Sequence, residues 1–153
     1  MALTVPHTQS LKTYFEPIVG QTAWNVTIGQ GSFITMEFGE PGANGHGTWH
    51  FWVYCCAWRI ETHDDVLAYS EDDRSRLIQV IKSFEGKALE RVEIDFPHGD
   101  TKLWFEGSLM LRLIPIHAET YEHWLLYTPT GTLIFGPGTE WQFEAETFKT
   151  ATL

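Results

Sequence analysis

Fifteen residues in the first half of the chain, Gly47–Glu61 (GTWHFWVYCCAWRIE), restrict the possible folds more than any other stretch. Nine of the ten residues from Trp49 to Trp58 are aromatic, aliphatic or cysteine. Read with a period of two, one face carries Trp49, Phe51, Val53, Cys55, Ala57 and Arg59. The other carries His50, Trp52, Tyr54, Cys56, Trp58 and Ile60. Neither face turns polar until the ends, so the pattern predicts one long strand, an interior ribbon covered on both sides. A buried helix is the competing reading. The aromatic and β-branched content, and Gly47 just before the run, favour the strand.

At 153 residues the chain has the size of one ordinary domain. A domain this long buries roughly 70% of its unfolded surface without staples. Aromatic residues make up 14% and charged residues 20% of the chain, a globular composition. The net charge of −10 argues against nucleic acid, which needs clustered Lys and Arg, and suits a basic protein partner. The two cysteines, Cys55 and Cys56, are adjacent. On a strand they point to opposite faces, and a disulfide between them would be strained. They read as buried free thiols in a reducing compartment. No signal-peptide pattern and no apolar run of about 20 residues is present, so the expected location is cytoplasmic and no membrane partner is expected.

The other elements follow from alternation and turn chemistry. Residues 1–13 form an expected loose arm, which Tyr14, Phe15, Ile18 and Val19 could fasten to the body. Trp24, Val26 and Ile28 alternate as a strand, Gly29-Gln30-Gly31 turns, and Phe33–Phe38 returns with Ile34, Met36 and Phe38 on one face. GEPGANGHG, residues 39–47, reads as a flexible loop. Ser70-Glu71-Asp72-Asp73 fits a capping box opening a helix over 70–85, with Leu77, Ile78, Ile81 and Phe84 as its apolar stripe and Gly86 as its stop. Strands then recur around Val92–Phe96, Leu103–Phe105, Leu109–Ile116, Tyr121–Tyr127, Leu133–Phe135 and Trp141–Ala145, with the last residues fraying. Gly31-Ser32 and Gly107-Ser108, followed by Trp58-Arg59-Ile60-Glu61 and Trp141-Gln142-Phe143-Glu144, hint at an internal duplication.

The order strands, helix, strands makes this an α+β protein. It is mainly antiparallel sheet, curled or two-layered, with one main α-helix over about 70–85. One domain spans 1–153, with a β half at 22–69 and another at 88–146.

Chemical signatures are sparse. No pair among the seven histidines is read as having the i, i+4 helical spacing of a zincin, and no C-x-x-C, G-x-S-x-G, P-loop or G-x-G-x-x-G occurs. No metal, cofactor or catalytic residue is therefore expected, and the chain reads as a non-enzyme. Glu61, Asp64 and Asp65 cluster after the apolar run as a wet acidic turn. Arg59 closes that run and needs a carboxylate, for which Glu122 is the candidate. Seven tryptophans are hard for a small domain to hide. Trp104, sharing a strand face with Lys102 and Glu106, is predicted to point outward as an interface residue.

Residues 100–138 carry Asp100, Gly107, Tyr121-Glu122-His123-Trp124 and Gly131 in an order that resembles a widespread group of small uncharacterised bacterial β-rich proteins. Upstream, Cys56-Ala57-Trp58-Arg59-Ile60-Glu61 followed by a short strand and a capped helix is similar too, so the resemblance covers roughly 22–145. Some of that group are suspected immunity proteins of polymorphic toxin systems. The charge, the surplus tryptophans and the missing catalytic signatures make the leading reading a non-enzymatic protein that docks a protein partner through an acidic, aromatic-bearing surface, and the resemblance implies the immunity type. The alternative is a small-molecule site or an unrecognised enzyme in the mouth of a curved sheet, lined by Trp58, Arg59, Glu61, Tyr121, Glu122 and Trp124. Self-association, as a homodimer, is the third reading.

Overall fold

The computed structural model describes residues 11–146. The expected loose arm, apart from residues 11–13, and the expected frayed end beyond Glu146 lie outside them. A 3-10 helix, Thr13–Ile18, leads into β1 (Trp24–Ile28), β2 (Ile34–Pro41), β3 (Gly47–Val53), β4 (Cys56–Thr62) and β5 (Asp65–Tyr69). Helix α1 (Arg74–Ile81) continues as a 3-10 turn, Lys82–Phe84. Six strands follow: β6 (Leu89–Asp95), β7 (Asp100–Phe105), β8 (Leu109–Pro115), β9 (Trp124–Thr128), β10 (Gly131–Phe135) and β11 (Trp141–Ala145).

The strands form two antiparallel sheets, ordered β1-β2-β3-β9-β10-β11 and β5-β4-β8-β7-β6. Their inner faces share one core, with Phe38, Phe51, Val53, Trp124 and Phe135 from the first sheet and Trp58, Ile60, Leu103, Phe105 and Leu111 from the second. Two indoles stitch the layers. Trp124 Nε1 donates to Thr101 Oγ1 at 3.1 Å, and Trp58 Nε1 donates to the Ser32 carbonyl at 2.8 Å. This is the α+β architecture expected, in its two-layer form.

The long ribbon is corrected. Gly47–Glu61 is two strands in two different sheets, broken at Tyr54-Cys55. Phe51 and Val53 point inward, and so do Cys56, Trp58 and Ile60, so the inward parity shifts by one residue at the break. That shift explains why neither face looked polar along the whole run. Each strand has one buried face, and the aromatic residues on the other faces lie partly open to water. Cys55 is half-buried and Cys56 buried, and burial pushes the Cys56 thiol up to about 12.

The helix start is also corrected. Ser70 does not cap α1; its hydroxyl accepts the Trp58 amide at 3.1 Å, and its own amide donates to the Trp58 carbonyl. Asp72 accepts the Tyr69 amide, so 70–72 is a turn tied to β4 and β5. Leu77, Ile81 and Phe84 are buried and Ile78 is exposed. The helix packs against β1 and β5, the outermost strands of the two sheets on one side. Glu85 beyond it accepts the Asn25 and Val26 amides of β1, which blunts that edge.

The strand order repeats. β1, β2 and β3 run from edge to centre of one sheet, then β4 and β5 run from centre to edge of the other. β6 to β10 do the same with the sheets exchanged, and β11 extends the series. The sequence hint does not map onto this repeat. Gly31-Ser32 lies between β1 and β2, whereas Gly107-Ser108 lies between β7 and β8, which are not equivalent places.

His123 is the one buried histidine among the described residues. Its Nε2 donates to the Gly138 carbonyl at 2.8 Å, its Nδ1 has no partner, and Gly136 packs over its ring. Burial holds its pKa below the ordinary 6.5, aided by His117 and opposed by the Gly138 and Cys55 carbonyls and by Glu122. A depressed folded-state value means that the unfolded chain takes the proton first. Stability is therefore full above pH about 6.5 and falls as pH drops below it, by up to about 1.4 kcal/mol per pH unit. Urea unfolding between pH 7.5 and 5.5 should show this slope, and His123→Gln should flatten it. The lowered carboxyls of Glu61 and Glu93 enter only nearer their ordinary 4.5.

Candidate functional site

The chemistry-bearing side chains gather on the outer face of the six-stranded sheet. Register places Glu37 of β2 opposite His50 of β3, and His50 opposite Tyr127 of β9. One row further along, Thr35, Trp52 and Leu125 stand abreast. The segment 39–47, expected as a flexible loop, is an ordered hairpin in which β2 runs on to Pro41 and β3 begins at Gly47. Its tip is closed by the Gly42 amide on the His46 carbonyl and the His46 amide on Asn44 Oδ1. Folding this tip back lays His46 over Glu37.

Glu37 is only 1% exposed although it sits on an outer face. Its Oε1 accepts the Gly47 amide at 2.7 Å. Its Oε2 accepts from His50 Nδ1 at 2.6 Å and His46 Nδ1 at 3.3 Å. With a carboxylate as acceptor, Nδ1 is the protonated nitrogen of each ring. The two imidazoles are 4.6 Å apart, and His50 stands 5.6 Å from the Tyr127 ring. A cleft of about 450 Å³, bordered by Thr35, Asn44, His46, His50, Trp52 and Tyr127, opens above them.

Beside the cleft the rings continue. Trp52 lies 4.8 Å from Tyr54 and 6.2 Å from Phe33, Tyr54 lies 6.4 Å from Tyr121, and Tyr121 lies 5.1 Å from His117. The result is a strip of partly exposed aromatic side chains along one sheet face.

The site residues expected from sequence do not form one site. Trp58 and Trp124 are buried in the core, 1% and 0% exposed, because each faces the opposite sheet. Arg59 and Glu61 lie on the outer face of the five-stranded sheet. There Arg112, from β8, binds Glu61 through Nε at 2.7 Å and Nη2 at 3.2 Å, and Arg59 Nε adds a third bond at 3.0 Å. The Arg112 hydrogen bond, then Arg59, holds the Glu61 carboxyl below its usual range against the effect of burial. Glu61, not Glu122, is thus the partner of Arg59. Asp64 and Asp65 stay exposed at the β4–β5 turn.

Tyr121 and Glu122 precede β9 and close against the break between β3 and β4. There the Glu122 carbonyl accepts the Cys55 amide. Trp104 does lie on an outer face, as expected, with Leu103 and Phe105 buried behind it. Arg91 covers its ring at 4.4 Å and its Nε1 donates to Glu93 at 3.2 Å.

Sequence reasoning passed over Glu37, His46, His50 and Tyr127. The i, i+4 reading is corrected: His46 and His50 do stand four residues apart, on a hairpin and not a helix, and Glu37 joins them only through the β2–β3 register. Comparison with known proteins finds no matching family model, no matching curated protein and no matching solved structure. No helix among the described residues is long and apolar enough to cross a membrane.

Proposed function

We propose that the protein is a non-enzymatic binding protein that docks a protein partner on the aromatic outer face of the six-stranded sheet. The observation that carries this reading is the strip of half-exposed rings from Tyr127 and Trp52 through Tyr54 to Tyr121. Rigid aromatic side chains give large contact area for little lost conformational freedom, which is why binding hot spots are rich in them. The net charge of −10 favours a basic partner and a salt-sensitive association rate. An immunity-type role, with a toxin as that partner, is the specific form suggested by the sequence resemblance. The two free thiols support a cytoplasmic location.

The test is affinity capture at low salt followed by titration of the captured partner. Trp52→Ala or Tyr127→Ala should weaken the complex by about 30-fold or more, the scale of a hot-spot residue. Trp104→Ala, on the opposite sheet, should leave it unchanged. The reverse pattern would move the interface to the five-stranded sheet and overturn this assignment. The cleft of about 450 Å³ supports a second reading, a small-molecule site. Native mass spectrometry showing a low-mass ligand retained by the wild type and lost in Trp52→Ala would favour that reading.

A further inference from the structure

We propose that Glu37, His46 and His50 form a binding site for one divalent transition-metal cation. The proposal stands on geometry at one end of the aromatic face and does not depend on what docks there.

One carboxylate oxygen and one ring nitrogen from each histidine lie within 4.8 Å of one another. Bonds of 2.0–2.1 Å at tetrahedral angles put zinc ligands roughly 3.3 Å apart. His46 Nδ1 already stands 3.3 Å from Glu37 Oε2, and His50 Nδ1, at 2.6 Å, would open by less than about 1 Å. The cation takes the place of the two protons now shared with Oε2. Each imidazole then coordinates through Nδ1 with one proton on Nε2, and any proton beyond that leaves to solvent.

Charge points the same way. Glu37 is almost fully buried, and among the described residues its ion-pair partners are the two histidines alone. Elsewhere in this protein a covered carboxylate, Glu61, is matched by two arginines. A dication bound here would set a fixed positive charge beside Glu37, where the described residues place no arginine or lysine.

The donor set selects the metal class. Two imidazoles with one carboxylate suit zinc and its first-row neighbours, whereas magnesium and calcium demand shells of oxygen. Three protein ligands leave a coordination position unfilled, and both histidines line the cleft bordered by Asn44, Trp52 and Tyr127, which gives a further ligand access. The supporting shell is present too. The Gly47 amide fixes the second carboxylate oxygen, and Asn44 fixes the backbone of His46.

The experiment is isothermal titration of the untagged, chelator-treated full chain with Zn²⁺, with Mg²⁺ as the contrast. The expected result is one Zn²⁺ per chain and no Mg²⁺ heat. His46→Gln and Glu37→Gln should each weaken Zn²⁺ binding by about tenfold or more, with His63→Gln, an exposed turn histidine, unchanged. His46 is half exposed at a hairpin tip, so its variant leaves the core untouched. Visible absorption of bound Co²⁺, lost in His50→Gln, gives a readout independent of heat. Failure of stoichiometric Zn²⁺ binding, binding that survives both His46→Gln and Glu37→Gln, or equal Mg²⁺ binding would overturn the proposal. The titration contains no partner protein, so its outcome is separate from that of the docking experiment.

Discussion

Alanine in place of Trp124 should lower the unfolding free energy by about 4 kcal/mol, within the range seen for large aromatic truncations in cores. The indole is fully buried, and Phe15, Phe51 and Phe135 surround it at ring separations of 5.4, 5.5 and 5.2 Å. Those neighbours belong to the N-terminal 3-10 helix and to strands on either side of β9, and they cannot all collapse into the space. The Thr101 hydroxyl, itself fully buried, would also lose the indole N–H. For a domain stabilised by about 5–15 kcal/mol, this removes a large share of the total. Trp124→Phe should cost roughly half as much, since it keeps most of the packing and drops the bond to the other sheet. Chemical denaturation of both variants decides the matter, and a loss below about 2 kcal/mol for the alanine variant would show that the core refills the hole.

Gly47→Ala should cost about 3 kcal/mol, and its effect should extend to the site. A Cβ there would stand 2.4 Å from the Phe38 carbonyl oxygen, and Phe38 is fixed in the core of β2. Relief requires the hairpin to swing away, which overpacks or breaks the Pro41–Gly47 pairing. It also pulls the Gly47 amide from Glu37, removing a bond to a charged, buried group. Gly45→Ala is the informative control. A Cβ at Gly45 meets open space, and only its left-handed φ of +86° opposes the change, at about 1 kcal/mol. Equal destabilisation by the two variants would mean that the close approach at Gly47 is relieved at no cost.

Strand periodicity was legible because residue after residue obeyed it. Ile34, Met36 and Phe38 point inward as their alternation requires, and so do Leu103 and Phe105. Two things were not. The run through Trp49 and Trp58 concealed a change of sheet, because the parity shift at Tyr54-Cys55 put apolar residues on both apparent faces. The capping-box spacing at Ser70 was real as a pattern, but Ser70 reached the Trp58 backbone first, and such a tertiary partner cannot be read from four local residues. The site was hidden for the same kind of reason. Glu37, His50 and Tyr127 come from three strands, and a slip of one residue in either pairing would turn one of them to the other side of the sheet. Trp58 and Trp124 drew attention as tryptophans, yet both serve to hold the layers together.

The exchanged course of β1–β5 and β6–β10 bears on how the chain assembles. β3 finds its inner neighbour in β9 and β4 finds its own in β8, so neither sheet has a middle until the segments before and after the helix meet. An early N-terminal segment emerging during synthesis would hold two unsatisfied strand borders with nothing local to saturate them. Such a topology folds slowly for its size and leaves the nascent half prone to pairing with another copy of itself until the remainder arrives.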